Sequence, residues 1–212
     1  MNYRRITELV GKYLNLSEIY TYFCLAMKSD FTNLESKVKQ DTLAKYITDN
    51  GYTSKDKRES RTIRDHISKF KDVGLLSIDT TVSGGDKEIT KQNHYKLTDL
   101  HYVLIDEKLV KLQCSNELKG FLILLKTMCL NGTNMCKFSI REMAERTKIS
   151  KTTIGKYLKL AEEAGYIKRD DSIHLLDSNI FIVTKESLLA KVKSIYPECL
   201  TDDDLLAGRI LQ

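Results

Sequence analysis

Apolar residues recur every three or four positions in six segments between residues 15 and 165, and this is the spacing of amphipathic helices. The clearest segment begins after Ser150, a candidate N-cap, and stops before Gly165, a residue type that ends helices in the left-handed conformation. The apolar face of this segment consists of Ile154, Leu158 and Ala161. The pattern predicts a helix over 151–163, followed by an extended run from Tyr166.

The same pattern predicts the other elements of the second half of the chain. A helix is expected over 115–128, a short strand over 136–138, and a helix that Ser139 and Glu142 begin as a capping box. Thr147, Lys148 and Ile149 form the turn before the last helix. Alternating residues predict a tight hairpin from strands 166–168 and 173–176, and 179–183 predicts one more strand.

The first half of the chain shows the same order of elements. Helices are predicted over 17–28, with Asn15 or Ser17 as the cap, then over 41–48 and 62–73, the last ending at Gly74. Strands are predicted over 37–39, 75–82 and 94–97, the last two joined by a turn at Gly84-Gly85. Residues 3–14 fit either a short strand or a frayed helix.

The two halves align with each other, which indicates an internal duplication. Thr62, Ile67 and Gly74 correspond to Thr153, Leu158 and Gly165 at a constant offset of 91. Leu43-Ala44 corresponds to Met143-Ala144 at an offset of 100, so the first copy carries nine more residues between its second and third helices. Lys39 stands where the second copy has Ser139, so the start of that helix is less well defined by the sequence.

These elements resemble winged-helix DNA-binding domains, and each half adds its own resemblance. The first half is similar to the helix-turn-helix domains of phage and plasmid replication proteins; the matching residues are Leu43-Ala44, Arg61-Thr62-Ile63, the run 71–76 and the return strand 92–97. The second half is similar to general winged-helix regulators; the matching residues are Ile140, Ala144, Ser150, Thr153-Ile154 and the run 163–167. Tandem winged helices also occur in plasmid initiators, where both domains grip one duplex.

The expected fold is therefore mainly α with small β-hairpins, an α+β protein with two winged-helix domains in tandem. The first domain covers 1–108, with a long wing and an inserted basic loop, and the second covers 109–184. Residues 185–212 form a short C-terminal helical tail interrupted by Pro197. Its acidic start and apolar end fit packing on the core, a homodimer contact or a frayed terminus equally well.

Composition agrees with a cytoplasmic protein that has hydrophobic cores. Hydrophobic residues make up 42% and charged residues 30% of the 212 residues, with a formal net charge of +5. No apolar run is long enough to cross a bilayer, and the N-terminus lacks the apolar segment of a signal peptide. No membrane association is therefore expected.

Catalytic and metal-binding motifs are not found in the sequence. The five cysteines include no C-x-x-C pair; Cys129 and Cys136 flank a turn, but no histidine lies near them, so reduced core thiols are expected. The four histidines are isolated, and Gly84-Gly85 lacks the residues of a phosphate-binding loop. We expect no catalytic residue, no metal, no cofactor and no enzymatic activity.

Cationic and hydroxylic side chains are expected on the outward face of the third helix of each copy, where they can reach bases and phosphates. The predicted DNA-binding residues are Lys151, Thr152, Lys156 and Lys159 on one helix, and Ser60, Arg61 and Arg64 on the other. The preceding loop adds Lys57 and Arg58, and the two wings add Lys87, Lys91, Lys168 and Arg169. Arg61 and Arg64 are the candidates for reading guanine, because a guanidinium can bind O6 and N7 together.

The sequence therefore predicts sequence-specific binding of double-stranded DNA, in the role of a transcriptional regulator. One alternative is a replication initiator or replisome organiser of a plasmid, phage or mobile element. A second alternative is a non-catalytic winged-helix scaffold for protein interactions, which the mixed charge of the chain and Asp65 on the reading face support.

Overall fold

The computed structural model describes residues 3–52, 54, 57–83, 90–98, 100–130 and 133–183. The first half contains β1 (Tyr3–Thr7), α1 (Val10–Tyr13), α2 (Leu16–Met27), β2 (Glu35–Ser36), α3 (Gln40–Asp49), α4 (Ser60–Asp72), β3 (Leu76–Ser83) and β4 (Thr90–Leu97). The second half contains β5 (Tyr102–Asp106), a 3-10 helix (Glu107–Lys111), α5 (Asn116–Thr127), β6 (Met135–Cys136), α6 (Ile140–Arg146), α7 (Lys151–Glu163), β7 (Ile167–Arg169), β8 (Ile173–Leu175) and β9 (Phe181–Ile182). The predicted C-terminal tail lies outside the described residues.

Three small antiparallel sheets accompany the helices, so the fold is of the mixed α and β class. Two of the sheets are equivalent, with strand orders β2-β4-β3 and β6-β8-β7. In the first, the β3–β4 hairpin is extended by the short strand β2, which follows α2. In the second, the β7–β8 hairpin is extended by the short strand β6, which follows α5. The third sheet, β1-β5-β9, joins the N-terminal strand to strands that follow each hairpin.

The duplication seen in the sequence is present in the structure. α4 and α7 each have 13 residues, begin at positions 91 residues apart, and bury the corresponding pairs Ile63 and Ile154, Ile67 and Leu158, and Phe70 and Ala161. Gly74 and Gly165 follow the two helices with φ of 74° and 72°, which is the left-handed conformation that glycine adopts without strain. α2 and α5 also have equal length and lie 100 residues apart.

The predicted helices are confirmed, with shifts of one or two residues at their ends. Asn15, and not Ser17, caps α2: its side chain accepts from the Glu18 N–H, and the Glu18 carboxylate accepts from the Asn15 N–H. The first segment proves to be both a strand, β1, and a short helix, α1. The strands predicted over 37–39 and 136–138 were wrong by about two residues, since β2 and β6 end at Ser36 and Cys136.

The β1-β5-β9 sheet was not anticipated. β5 was absent from the predictions, and the predicted strand at 179–183, observed as β9, pairs with β5 and not with the second hairpin. The domain boundary proposed near residue 108 falls in the 3-10 helix that follows β5. This sheet therefore joins segments from both sides of that boundary.

The two equivalent helices α3 and α6 differ in their N-terminal caps, because Lys39 stands where the second half has Ser139. The Ser139 hydroxyl accepts from the Glu142 N–H at 3.2 Å, and the Glu142 carboxylate accepts from the Ser139 N–H at 2.8 Å. Lys39 occupies the equivalent position before α3, with φ of −71° and ψ of 145°, and its side chain makes no capping hydrogen bond. The backbone at Lys39 is thus already in a conformation that suits a capping residue.

Lys39→Ser is expected to stabilise the protein by about 0.5–1 kcal/mol, because the new hydroxyl can accept from a backbone N–H in the first turn of α3. The measurement is the free energy of unfolding from urea denaturation at neutral pH. Lys37→Ser, which removes the same exposed charge two residues before the cap, is the matched control and should leave stability nearly unchanged. Equal effects of the two variants would contradict the capping explanation.

The two halves share one hydrophobic core, in which α2 and α5 pack against each other. Both helices are buried along almost their whole length. A methyl group added at Gly120 of α5 would lie 2.0 Å from the Leu16 carbonyl oxygen, so only glycine allows the backbones to approach this closely. Phe121 of α5 is fully buried and stacks on Tyr157 of α7 with ring centroids 5.7 Å apart, which fixes α7 to this central pair.

Two lysines of α5 are completely buried and donate to oxygen atoms of the surrounding chain. Lys119 Nζ donates to the carbonyls of Asn50 at 2.9 Å and Val110 at 2.7 Å. Lys126 Nζ donates to the Thr133 carbonyl at 2.9 Å and the Asn134 side-chain oxygen at 2.8 Å, and burial lowers the pKa of Lys126 to about 8. These hydrogen bonds replace the bonds to water that the two ammonium groups lose on burial, and they reduce the free-energy cost of burying them.

Candidate nucleic-acid interface

The turn between α6 and α7 is held by local contacts that set the orientation of α7. Thr147 Oγ1 donates to the Met143 carbonyl at 2.8 Å and accepts from the Ile149 N–H at 3.2 Å. Ile149 is buried, as expected for the corner of the turn, and the Ser150 hydroxyl accepts from the Thr153 N–H at 3.2 Å. α7 is therefore fixed at its start, and its apolar face is directed to α5 and α6.

The opposite face of α7 carries the predicted DNA-binding side chains in exposed positions. Lys151, Thr152, Lys156 and Lys159 are all exposed, and Gly155 between them leaves the surface flat. Lys151 and Lys156 form no ion pair with any residue that the structure describes. Lys151 also lies in the first turn, where the unpaired N–H groups of a helix favour an anion. This face can bind phosphate oxygens and the acceptor edges of bases.

The other predicted cations of this half are paired within the protein. Lys159 Nζ lies 3.7 Å from Glu163, and Lys168 Nζ lies 3.8 Å from Asp170. Arg169 donates through Nε to Glu162 at 2.9 Å and through a second nitrogen to the same oxygen. These hydrogen bonds lower the pKa of Glu162 and raise that of Arg169. A phosphate would have to compete with these carboxylates, so Lys151 and Lys156 are the more available cations.

α4 presents a different surface at the equivalent place. Arg61 and Arg64 are exposed, and neither forms an ion pair within the described part of the chain. Ser60 is half-buried and donates to Asp41 in the first turn of α3, which connects the two helices of this half. Asp65 is exposed where α7 has Lys156. The α4 surface thus combines two free guanidinium groups with one carboxylate, in contrast to the cationic α7 surface.

Arg58 lies between the two halves of the molecule. Its side chain is only 11% exposed, and its guanidinium donates to Ser17 Oγ at 3.0 Å and lies 3.5 Å from the Glu117 carboxylate. The backbone N–H of Arg58 donates to Thr48 Oγ1 at 3.1 Å. Arg58 thus connects the starts of α2 and α5, and its guanidinium is engaged by side chains of the protein itself.

The remaining predicted residues belong to the loop and the long hairpin of the first half. Lys57 is exposed before α4. Lys87 and the side chain of Lys91 lie outside the described residues, so their contribution to an interface stays a prediction. Two exposed lysines beside the α6–α7 unit, Lys137 and Lys148, were not among the predicted site residues. Lys137 lies before α6 and Lys148 lies in the turn before α7, and this placement beside the predicted helices was the sequence signal that could have added them to the predicted cationic surface.

The histidines and cysteines have structural surroundings in the described part of the chain. His66 Nδ1 lies 2.9 Å from Thr21 Oγ1, and burial lowers the pKa of this histidine. Cys24, Cys114, Cys129 and Cys136 are buried and form no disulfide, as predicted for core cysteines, and Cys199 lies outside the described residues. Burial raises the pKa of both Cys24 and Cys129 to about 12. Such thiols stay protonated and are poor nucleophiles at neutral pH.

The residues that the structure describes contain neither a cluster of metal ligands nor a membrane-spanning helix. No three histidine, cysteine or acidic side chains come together as possible metal ligands in this part of the chain. None of its helices combines the length and the apolar character needed to cross a membrane.

Comparison with known proteins gives a match within the second half of the chain. A family model described as a helix-turn-helix domain matches residues 117–167, which run from the first turn of α5 to the start of β7. No curated protein and no solved structure matches the chain. The matched range contains α6, α7 and the turn between them, the part that presents Lys151 and Lys156. The match supports a helix-turn-helix domain at residues 117–167, and such a domain suggests DNA binding.

Proposed function

We propose that the chain is a non-enzymatic, tandem winged-helix protein that binds specific sequences in double-stranded DNA and regulates transcription. The observation that carries this proposal is the exposed face of α7, where Lys151 and Lys156 form no ion pair with the described residues, in a segment that matches a helix-turn-helix family model. A helix of this kind fits the major groove, where its side chains reach base edges and the flanking cations reach phosphates. The repeated element order supports a second domain of the same type.

The α4 surface supports specific recognition in addition to general attraction to phosphates. Arg61 and Arg64 are exposed and unpaired in the described part of the chain, and each has the donor geometry for O6 and N7 of guanine. Asp65 disfavours phosphate at the same surface but can accept from the amino group of cytosine. We infer that α4 selects a G·C-containing sequence, and that α7 supplies a larger share of the electrostatic affinity.

Replacing both Lys151 and Lys156 by alanine is expected to weaken duplex binding by roughly tenfold to a hundredfold near physiological salt, since each lost phosphate contact removes one counterion-release term. The slope of log affinity against log salt concentration should fall by about two for the double variant. Fluorescence anisotropy with a labelled duplex over a salt series measures both quantities.

The matched control is the double variant Lys108→Ala and Lys111→Ala, which removes the same charge from exposed positions of the 3-10 helix, outside α4 and α7. Its affinity and salt slope should stay close to the wild-type values, and both double variants should keep the wild-type thermal midpoint. Equal loss of binding in the two variants would show that net charge, and not the α7 surface, determines the affinity.

A replication initiator or replisome organiser is the second candidate function. The resemblance of residues 43–44, 61–63, 71–76 and 92–97 to replication proteins of phages and plasmids favours it. A protein-interaction scaffold is the third, and the mixed charge of the α4 surface favours it. Permanganate footprinting of bound DNA distinguishes a replication initiator from a transcriptional regulator, because an initiator opens the duplex. A scaffold is distinguished from both by its low duplex affinity and weak salt dependence.

A further inference from the structure

The contact between α2 and α5 joins the two halves through equivalent segments. The Leu16 carbonyl lies close against Gly120, and Gly120 corresponds to position 20 of the first half at the offset of 100. Ser17 and Glu117 are equivalent positions, and the same guanidinium, that of Arg58, contacts both. When the same segment of each copy meets at a contact, the two copies are related by a two-fold axis. Here the two copies are the two halves of one chain.

The connection between the halves is built of buried contacts. Lys119 Nζ donates to Asn50 at the end of α3 and to Val110 in the segment that connects the halves, and its side chain is fully buried. The connecting segment contains β5 and the 3-10 helix, and β5 is paired with both β1 and β9. These contacts hold the two halves in one relative position, in contrast to domains joined by a flexible linker.

From this frame we propose, resting on the proposed function, that the chain recognises one composite duplex site made of two dissimilar half-sites at a single fixed spacing and in opposed orientation. Opposed orientation follows from the two-fold relation, since the symmetry of the binding sites mirrors that of the protein. The half-sites differ because α4 presents Arg61, Arg64 and Asp65 where α7 presents Thr152, Gly155 and Lys156.

A fixed frame and a flexible tether predict different responses to the distance between half-sites. Inserting two base pairs rotates one half-site by roughly 70° about the duplex axis, and inserting ten restores the phase but adds about 34 Å. A tether tolerates the ten-base-pair insertion because the second contact only needs to be within reach. A rigid chain loses the second contact in both cases.

The test begins with selection of a preferred site from randomised duplex by the full chain. Affinities are then measured for that site, for versions with two or ten base pairs inserted at its centre, and for each half-site alone. We expect both insertions to reduce the affinity at least tenfold, to the value of the better half-site. Unchanged affinity after either insertion, or selection of a site without a second half, overturns the fixed-spacing proposal and leaves DNA binding intact. Absence of binding to any duplex overturns the proposed function itself.

Lys119 is the positioning residue in this proposal. Lys119→Met keeps the approximate length of the side chain but removes the ammonium group that donates to Asn50 and Val110. The affinity lost on the two-base-pair insertion should become at least threefold smaller, while the affinities for the single half-sites stay at the wild-type value. Glu117→Gln, which removes the charged partner of Arg58 at a side chain that is 38% exposed, provides a second variant of lower folding risk with the same expected direction. An insertion penalty that both variants leave unchanged overturns the role of these contacts.

Discussion

Gly120→Ala is expected to lower the free energy of unfolding by about 3 kcal/mol, because the added methyl group overlaps backbone atoms of a neighbouring helix. The added Cβ would lie 2.0 Å from the carbonyl oxygen and 2.8 Å from the carbonyl carbon of Leu16. Both atoms belong to the backbone of α2, so rotation of a side chain cannot relieve the overlap. The two central helices must move apart, and the buried contacts around them weaken together. Urea denaturation followed by circular dichroism measures this change.

Gly155→Ala is the matched control, because it makes the same chemical change inside another helix. No atom lies within 4 Å of the position of the new Cβ in α7. Alanine should therefore stabilise the protein by about 0.5–1 kcal/mol, since it reduces the conformational freedom of the unfolded chain. If the two variants changed stability alike, the close approach of α2 and α5 would not be a feature of the folded protein in solution.

Phe121→Ala is expected to destabilise the protein by about 3–5 kcal/mol, the usual cost of removing a fully buried aromatic ring. The ring also packs on Tyr157, so its loss removes support from the α7 helix that presents Lys151 and Lys156. Duplex affinity should fall under conditions in which the variant is still folded, because α7 would no longer be held in a single position. Denaturation and anisotropy titrations of the same sample measure the two effects.

Leu160→Ala is the control for that variant, since it truncates an apolar side chain of α7 that is 38% exposed. Its effect on stability should stay within about 0.5 kcal/mol, as for most surface substitutions. A loss of stability at Leu160 comparable to that at Phe121 would indicate that the outer face of α7 is covered in solution. That result would contradict the assignment of this face to DNA.

Local sequence signals were sufficient to predict the repeated unit. The periodicity of Ile154, Leu158 and Ala161, the Ser139–Glu142 capping box and the glycines after α4 and α7 depend on interactions within a few residues, and each is present in the structure. Alignment of the two halves added the duplication, because equivalent residues carry the same packing role in both. At Lys39, where the sequence left the start of the helix less well defined, α3 begins without a side-chain cap.

Charge patterns predicted which faces are cationic but not which cations are available. Lys159, Lys168 and Arg169 have the same composition signal as Lys151 and Lys156, yet carboxylates of the folded chain pair with the first three. Arg58 was assigned to the DNA surface from its place in a basic loop, and the fold positions it between α2 and α5. For Arg58 the difference depends on Glu117, which is distant in sequence. For the other three cations it depends on which side-chain conformations bring a nearby carboxylate within reach.

The sequence by itself determined the repeated order of helices and strands in the two halves, since it depends on periodicity, caps and glycine stops within short segments. Only the tertiary structure decided how the units are joined. The β1-β5-β9 sheet, the approach of Leu16 to Gly120 and the bond of Lys119 to Asn50 link residues 69 to 104 positions apart, and no local pattern encodes such pairings. Their physical basis is close packing of two buried helices, which becomes favourable only when the whole chain is folded.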